Sequence, residues 1–376
     1  MTCFLNNFCS HISGARLPLL VLKAKTIEHT RLEQVSNTEH FDNALLVAGN
    51  FKDGQGVYPW NWPVTPRWTS LWLQDQLQTF GYNQVDTVFY HAGNWENGAT
   101  NPGIANAWNN GVGVVNYRGW GDANGWHKPL FHREEAEQLN NGWQLPIVLS
   151  FVCNTGDFGN DYSGTGLDKC FGETLITAGS TVNPKGAVAM VGPSDLDTDT
   201  RFNNVICGAM WDEILEFRKT ELAPALHAGK DSVATQFKNL IINGTNIPDF
   251  YYHIYAVLGD PSIPIRLTNP SNLYTLSDTY DLTNSYIDDA VYDSNNQPIK
   301  DVVVALMHNG ILIGKDLTND DGEFSIDFDD SIDIGSELIL YFNHPDYFQN
   351  KYVYQYIIDN GLSFTNTPYT PDEEVY

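Results

Sequence analysis

The sequence has little positive charge and no long apolar run. Its 376 residues contain 20 Lys and Arg against 46 Asp and Glu, and the formal net charge is −26. A surface of this charge repels the phosphates of nucleic acid and anionic membranes, so we expect neither as a partner. No stretch of about 18 consecutive apolar residues occurs, so no segment is predicted to insert into a membrane.

Cysteines are also few. The five, Cys3, Cys9, Cys153, Cys170 and Cys207, are odd in number and irregularly spaced. This pattern indicates no disulfide framework and no zinc site, and it predicts at least one free thiol. Hydrophobic residues make up 42% of the chain and aromatic residues 13%, which is typical of a globular protein.

Apolar runs alternate with amphipathic segments over the first two thirds of the chain. This alternation predicts an α/β fold with a mostly parallel sheet covered by helices on both faces. The predicted strands are 44–49, 85–90, 112–117, 145–153 and 186–191. The predicted helices are 68–80, 104–110, 134–140, 171–178 and 209–218.

The helical period ends after Leu267. A linker-like stretch, Thr268–Leu273, precedes segments of alternating polarity separated by the turn signals Asn309-Gly310 and Asp320–Gly322. The pattern predicts a small Ig-like β-sandwich. Its predicted strands are 302–306, 312–315, 323–328 and 337–342.

These patterns divide the chain into four parts. Residues 1–35 match no pattern, and we expect this segment to be truncated relative to the natural protein. Residues 36–267 form the predicted α/β domain and residues 274–350 the predicted sandwich. Residues 351–376 are a tail or an incomplete extension.

Cys153 is the strongest candidate for chemistry. It ends the apolar run 145–153 and is followed by a polar turn that contains Gly156. In an open α/β sheet ligands bind beyond the carboxyl ends of the strands, so this placement presents a thiol at the rim of the sheet. The alternative is a buried structural cysteine.

Four short motifs resemble the gingipain family of cysteine peptidases (family C25, clan CD). They are VNYRGWG at Val115–Gly121, CNTGDF at Cys153–Phe158, CFGE at Cys170–Glu173 and LGDPS at Leu258–Ser262. The resemblance covers about residues 41–267. It implies a caspase/gingipain-like sheet and a peptide or protein substrate. It also implies that Cys153 is the nucleophile, with the backbone amides of Gly121 and Cys153 forming the oxyanion hole.

Trp120 departs from the family pattern, which carries its general base, a His, at this position. Cys153 follows it by 153 − 120 = 33 residues, as the family spacing requires. An indole has no lone pair available to accept a proton, so Trp120 cannot be the base. His127, His132 and His91 are the alternatives, and His127 is favoured because its loop leaves the same strand end.

Trp120 and His91 are the candidate substrate-binding residues. His91 stands where arginine-specific relatives carry an acidic residue, so the resemblance argues against a basic P1 side chain.

The C-terminal motifs NNQPI at Asn295–Ile299 and TNDDGEF at Thr318–Phe324 resemble a carboxypeptidase-regulatory-like module. Together with the family resemblance, this module implies an extracellular or cell-surface location in a bacterium.

Asp195, Asp197 and Asp199 form a D-x-D-x-D motif. Such spacing can supply carboxylates to a structural Ca²⁺, which the family often holds. A solvated acidic turn is the alternative. No catalytic cofactor is predicted.

Three functions fit these observations. The first is a secreted cysteine endopeptidase that uses Cys153 with His127. The second is an inactive pseudo-peptidase that binds peptides or a protein partner. The third is a sortase-like transpeptidase, which passes the acyl group to an amine. The first two differ in whether an imidazole lies within hydrogen-bond reach of the Cys153 sulfur.

Overall fold

A computed structural model describes residues 16–49, 65–90, 102–159, 168–277, 286–328, 332, 336–355 and 367–368. The chain divides into two compact units. The first comprises Met1–His29 and Glu33–Asn269, and the second comprises Thr30–Leu32 and Pro270–Tyr376. Within the described residues, no helix combines the length and apolarity needed to cross a bilayer.

The first unit contains eleven strands and eight helices among its described residues. The strands are β1 Asn43–Gly49, β2 Gln84–Tyr90, β3 Val114–Arg118, β4 Gly121–Asp122, β5 Gly125–His127, β6 Leu130–His132, β7 Ile147–Phe151, β8 Ala189–Pro193, β9 Ile241–Ile242, β10 Thr245–Asn246 and β11 Tyr255–Leu258. The helices are α1 Arg16–Arg31, α2 Thr65–Phe80, α3 Pro102–Asn110, α4 Arg133–Glu137, α5 Phe171–Thr177, α6 Thr200–Leu215, α7 Leu222–Gln236 and α8 Ile247–Ile254.

The central sheet has six strands in the order β11-β8-β7-β3-β1-β2. All neighbouring pairs are parallel except β11 with β8, which is antiparallel. The predicted mostly parallel sheet is therefore confirmed. Strands β3 and β7 are neighbours, so their carboxyl ends, after Arg118 and Phe151, lie at the same edge.

Both faces of this sheet are buried. Leu46 of β1 and Leu149 of β7 join one apolar cluster with Leu73 of α2, whereas Leu45 and Val148 join the other. Successive residues of a strand point to opposite faces, so a strand with two covered faces needs an unbroken apolar run. This is why the strands could be predicted from sequence.

Helix α1 occupies part of the segment that the sequence left unplaced. Its buried Lys25 donates hydrogen bonds to three backbone carbonyls, of Leu175 at 3.1 Å, Lys185 at 2.6 Å and Ala187 at 3.2 Å. Burial lowers the pKa of Lys25 to about 7. The buried face of this helix carries Lys25 in place of an apolar residue. The sequence therefore lacks the continuous apolar stripe from which an amphipathic helix is predicted.

The second unit is built from antiparallel strands. They are β12 Tyr274–Thr275, β13 Tyr286–Tyr292, β14 Val303–His308, β15 Ile311–Leu317, β16 Glu323–Asp327, β17 Glu337–Asn343, β18 Asn350–Gln355 and β19 Thr367–Pro368. One sheet has the order β12-β13-β16 and another β15-β14-β17-β18-β19. These sheets are consistent with the predicted β-rich module, and the Ig-like sandwich itself stays a prediction.

Candidate active site

The turn that carries Cys153 is held by backbone hydrogen bonds to the chain that follows β8. The N–H of Asn154 donates to the carbonyl of Asp195 at 3.0 Å, and the N–H of Gly156 donates to that of Pro193 at 2.9 Å. Asn154 has a φ of 55°, a left-handed conformation that asparagine tolerates. The half-buried Cys153 thus sits at the carboxyl edge of the sheet, as the sequence predicts.

The hydrogen-bond partner of the Cys153 sulfur is Thr198. The Thr198 hydroxyl donates to Sγ at 3.0 Å, and Sγ lies 3.9 Å from the carbonyl oxygen of Thr198. In the described part of the chain no imidazole nitrogen is hydrogen-bonded to this sulfur. Burial raises the pKa of the Cys153 thiol, although the Thr198 hydrogen bond and the positive charge of Arg118 act in the opposite direction.

Trp120 begins a three-stranded hairpin formed by β4, β5 and β6. The Tyr117 hydroxyl donates to the Trp120 carbonyl at 2.8 Å and accepts from the Trp120 N–H at 3.1 Å. Buried Trp126 stacks on Tyr117 at a centroid distance of 4.4 Å, and its Nε1 donates to Ser150 Oγ at 3.0 Å. These contacts fix the hairpin against β3 and β7, beside the Cys153 turn.

The Trp120 indole is 47% exposed. Its ring lies edge-on to that of His127, with 5.3 Å between centroids, and Lys128 Nζ lies 4.8 Å from the indole centroid. Trp120 therefore presents a half-exposed aromatic surface with a cation beside it.

Both ring nitrogens of His127 are hydrogen-bonded within the hairpin. Nδ1 lies 2.9 Å from His132 Nε2, and Nε2 lies 3.2 Å from Asp122 Oδ2. Arg133 Nε donates to Asn124 Oδ1, so the Asn124 amide nitrogen is the group that faces His132 Nδ1 at 3.0 Å.

This arrangement fixes the tautomers. Because His132 Nδ1 accepts from Asn124, its Nε2 carries the proton and donates to His127 Nδ1. His127 then carries its own proton on Nε2 and donates it to Asp122. Burial lowers the pKa of His132, and the nearby His127 lowers it further, so His132 is held neutral. A chain of this kind leaves His127 no free lone pair for a thiol proton.

The Asp122 carboxylate completes the chain. Burial opposes its ionisation, but hydrogen bonds from His127 and from the Asn124 N–H outweigh this cost, and its pKa lies below the ordinary value. His127 as general base stays a prediction, since the structure brings it to Trp120 and Asp122 and not into a hydrogen bond with Cys153.

The backbone amides of Gly121 and Cys153 are the predicted donors of the oxyanion hole. The His127 N–H donates to the Trp120 carbonyl, so the next pair along this antiparallel ladder, Gly121 with Trp126, is of the non-hydrogen-bonded kind. The Gly121 N–H therefore points away from β5. Among the described residues, the Cys153 N–H donates to no backbone carbonyl. The Cys153 N–H interacts with its own sulfur, and the oxyanion hole of Gly121 and Cys153 stays a prediction.

Two of the three predicted calcium ligands, Asp195 and Asp199, already accept hydrogen bonds within the protein. Arg201 occupies the Asp199 carboxylate through two side-chain hydrogen bonds, at 2.9 and 2.7 Å, and Asp195 accepts the N–H of Asp197 at 2.8 Å. The described residues hold one group of three metal-ligating side chains with ligand atoms within 4.8 Å of one another, His132, Glu134 and Glu135. The calcium site stays a prediction that this arrangement does not favour.

Sequence reasoning missed several residues at the site, and His91 lies outside the described residues. Thr198 and the buried Arg118 lie inside motifs that were predicted for other roles, and neither residue was itself a candidate. The hairpin that contains Trp126 and His132 has strands of two or three residues, too short for a periodic pattern. Its density of Gly and aromatic residues was the only available signal.

A model of peptidase family C25 matches residues 19–266, more than half of the chain. Gingipain R2 of Porphyromonas gingivalis is 24% identical over 229 residues, which are 57% of this chain and 28% of that protein. Gingipain R1 of the same bacterium is 25% identical over 208 residues, which are 54% of this chain and 19% of that protein. The chain therefore spans well under two thirds of the length of these relatives.

Two solved gingipain structures are similar to this chain in fold. The crystal structure of the Arg-specific cysteine proteinase gingipain R has a TM-score of 0.71 at 21% identity, covering 87% of this chain and 69% of that chain. A complex of the Porphyromonas gingivalis RgpB pro- and mature domains has a TM-score of 0.70 at 19% identity, covering 88% and 71%. The predicted gingipain-like fold is confirmed.

Proposed function

The chain belongs to peptidase family C25, and from that premise we propose that it is a peptide-binding pseudo-peptidase, with the cleft and thiol of the family but an indole in place of the base. One observation carries the proposal. The Cys153 sulfur is hydrogen-bonded to Thr198, while the imidazole of His127 is committed to His132 and Asp122.

Hydrolysis needs a group that removes the thiol proton and returns it to the leaving amine. A positioned general base contributes roughly 10²- to 10⁴-fold to such a reaction. Trp120 cannot accept the proton, and burial raises the pKa of Cys153, so the neutral thiol predominates near pH 7. Both effects favour binding over cleavage.

The surroundings of Cys153 support a peptide as the ligand. The Gly121 N–H, which points away from β5, is suited to a peptide carbonyl oxygen, and we propose that the Cys153 N–H joins it when a peptide binds. The exposed Trp120 ring offers an apolar surface beside them. We further propose an extracellular or cell-surface location in a bacterium, which rests on the family and the predicted C-terminal module.

An endopeptidase with a relocated base is the second candidate. His127 supports it, because its ring lies 5.3 Å from that of Trp120, on the strand that pairs with Gly121. Cleavage would require His127 to break its hydrogen bond with His132 or with Asp122 when substrate binds. A sortase-like transpeptidase would use the same thiol and shares this requirement.

Hydrolysis and binding of one peptide library test the proposal. The wild type and Cys153→Ala are incubated with fluorogenic peptides, with reductant and with or without Ca²⁺, and capture of the same peptides on immobilised protein is measured in parallel. We expect peptide capture by both proteins and no cleavage that depends on Cys153.

Cleavage by the wild type that disappears in Cys153→Ala would overturn the pseudo-peptidase and favour the endopeptidase. His127→Ala would then identify the base. Added amine that increases the release of the leaving peptide would indicate transpeptidation. Loss of both capture and cleavage, with the fold intact, would reject a peptide ligand.

A further inference from the structure

A chain of hydrogen-bond donors ends at the Cys153 sulfur. The Tyr255 hydroxyl donates to Asn203 Oδ1 at 2.8 Å, and Asn203 Nδ2 donates to Thr198 Oγ1 at 3.2 Å. Thr198 then donates to Cys153 Sγ at 3.0 Å. Because the Thr198 oxygen already accepts from Asn203, its own proton is directed at the sulfur. A donor in this orientation stabilises a thiolate more than a thiol.

Asn203 and Tyr255 are buried, so this chain is fixed by packing and not by solvent. Asn203 lies in the first turn of α6, and Tyr255 begins β11. Their positions orient the Thr198 hydroxyl before any ligand arrives. Preorganised dipoles of this kind need no rearrangement when negative charge appears on the sulfur.

Arg118 is a buried cation beneath the same turn. Its guanidinium donates to the carbonyl of Phe151, to the side chain of Asn204 and, at 3.3 Å, to the carbonyl of Thr200. In the described part of the chain it forms no ion pair with a carboxylate. Its uncompensated charge therefore favours a negative sulfur at Cys153.

Among the described residues, the other titratable groups that interact electrostatically with the Cys153 thiol from neighbouring elements are three tyrosines. They are Tyr117 of β3, Tyr251 of α8 and Tyr255 of β11. Burial raises the pKa of each, so all three remain uncharged where the thiol ionises. The Arg118 guanidinium is then the charged group that acts on Cys153 over that range.

We infer that Thr198 is a positioning residue for Cys153: its hydroxyl, oriented by Asn203, holds the sulfur and stabilises the thiolate without an imidazole. The thiol thus keeps a nucleophilic reactivity that the loss of the family's base does not abolish. This inference concerns reaction with small electrophiles, and it stands whether or not the protein cleaves peptides.

Alkylation by iodoacetamide, followed by mass spectrometry of the peptide that contains Cys153, tests the inference. The thiolate sulfur attacks the methylene carbon, an S–C bond forms, iodide leaves with the bonding electrons, and the thiol proton has gone to the buffer. Rates are measured from about pH 6 to about pH 10 for the wild type, Thr198→Val and Thr198→Ser.

We expect Thr198→Val to move the midpoint of the rate profile upward by about one pH unit and to slow alkylation at about pH 8 roughly tenfold. Thr198→Ser keeps the hydroxyl and should retain the wild-type profile. Buried Cys170 and Cys207, whose pKa values burial raises, serve as slow internal references. Thermal unfolding checks that each variant is folded.

An unchanged midpoint in Thr198→Val would overturn the inference. So would a shift of equal size in Thr198→Ser, because the effect would then come from side-chain shape and not from the hydroxyl. If Thr198→Val does not fold, Thr198→Ala removes the same donor with less crowding, and the same outcomes apply.

Discussion

The Cys153 turn and the Trp120 hairpin lie side by side at one edge of the sheet, yet they differ in how they use their polar groups. The turn directs donors at one sulfur, through Thr198 and the field of Arg118. The hairpin directs its polar groups at each other, from Asn124 through the two imidazoles to Asp122.

This difference agrees with the proposed pseudo-peptidase, in which the thiol remains but no general base serves it. A general base needs an unshared lone pair aimed at the nucleophile. In the hairpin, the lone pairs of His127 and His132 accept internal hydrogen bonds, and these bonds make the hairpin more rigid. The turn still presents the free thiol of Cys153, which the proposed peptide ligand would meet.

Replacing Trp120 by His should have the largest effect on activity. It would place a general base at the start of the hairpin, at the position predicted for the family's His. We expect Cys153-dependent hydrolysis of the peptide library to rise at least about 100-fold in Trp120→His. Trp120→Phe, which has no lone pair, is the matched control and should stay inactive, as should Trp120→His combined with Cys153→Ala. A folded Trp120→His variant with no activity would mean that the indole is not what silences the site.

Trp126 joins the two regions, so its replacement should be the most destabilising. Trp126→Phe removes the hydrogen bond to Ser150 and leaves a void beside Tyr117. We expect the free energy of unfolding, measured by denaturant titration, to fall by about 2–3 kcal/mol. Trp68→Phe, at a position 49% exposed, should cost less than about 0.5 kcal/mol. Equal losses of stability at the two positions would contradict the idea that Trp126 joins the hairpin to the region of the Cys153 turn.

Lowering the pH should reduce the stability that the hairpin contributes through His132. The pKa of His132 in the folded state lies below its ordinary 6.5. As the pH falls below about 6.5 the unfolded chain therefore takes up this proton first, and the stability contributed by the neutral imidazole is progressively lost. It is fully present above about 6.5.

We expect the melting temperature of the wild type to fall more between about pH 7.5 and about pH 5 than that of His132→Gln. His227→Gln, which changes an exposed histidine of α7, is the control and should follow the wild type. Parallel curves for the wild type and His132→Gln would refute the proposed role of the neutral His132 imidazole.

Added calcium should have the smallest effect on stability. It tests the predicted calcium ligands Asp195, Asp197 and Asp199, which lie next to the Cys153 turn in the structure. Because Arg201 occupies the Asp199 carboxylate, we expect added Ca²⁺ to shift the wild-type melting temperature by less than about 1 °C relative to Mg²⁺. A rise of several degrees that is lost in Asp195→Asn would instead support the predicted D-x-D-x-D site. Arg201→Gln, which frees Asp199, should then strengthen that response.

The fold of the first unit was predictable because its central strands are buried on both faces. Leu45, Leu46, Val148 and Leu149 alternate between two cores, and this leaves unbroken apolar runs in the sequence. Helix α1 was not predictable, since its inner face carries the buried Lys25, satisfied by carbonyls far away in sequence. Thr198 was missed for a similar reason: it is 45 residues from its partner.

Local sequence patterns were enough to place Cys153 at the end of a buried strand and to predict that Trp120 stands at the position of the family's base. Both follow from local pattern and from the chemistry of the indole ring, which no environment can turn into a proton acceptor. The tertiary structure decided what His127 and the sulfur touch. Hydrogen bonds depend on distance and orientation, and residues far apart in the chain supply both only after the sheet has formed.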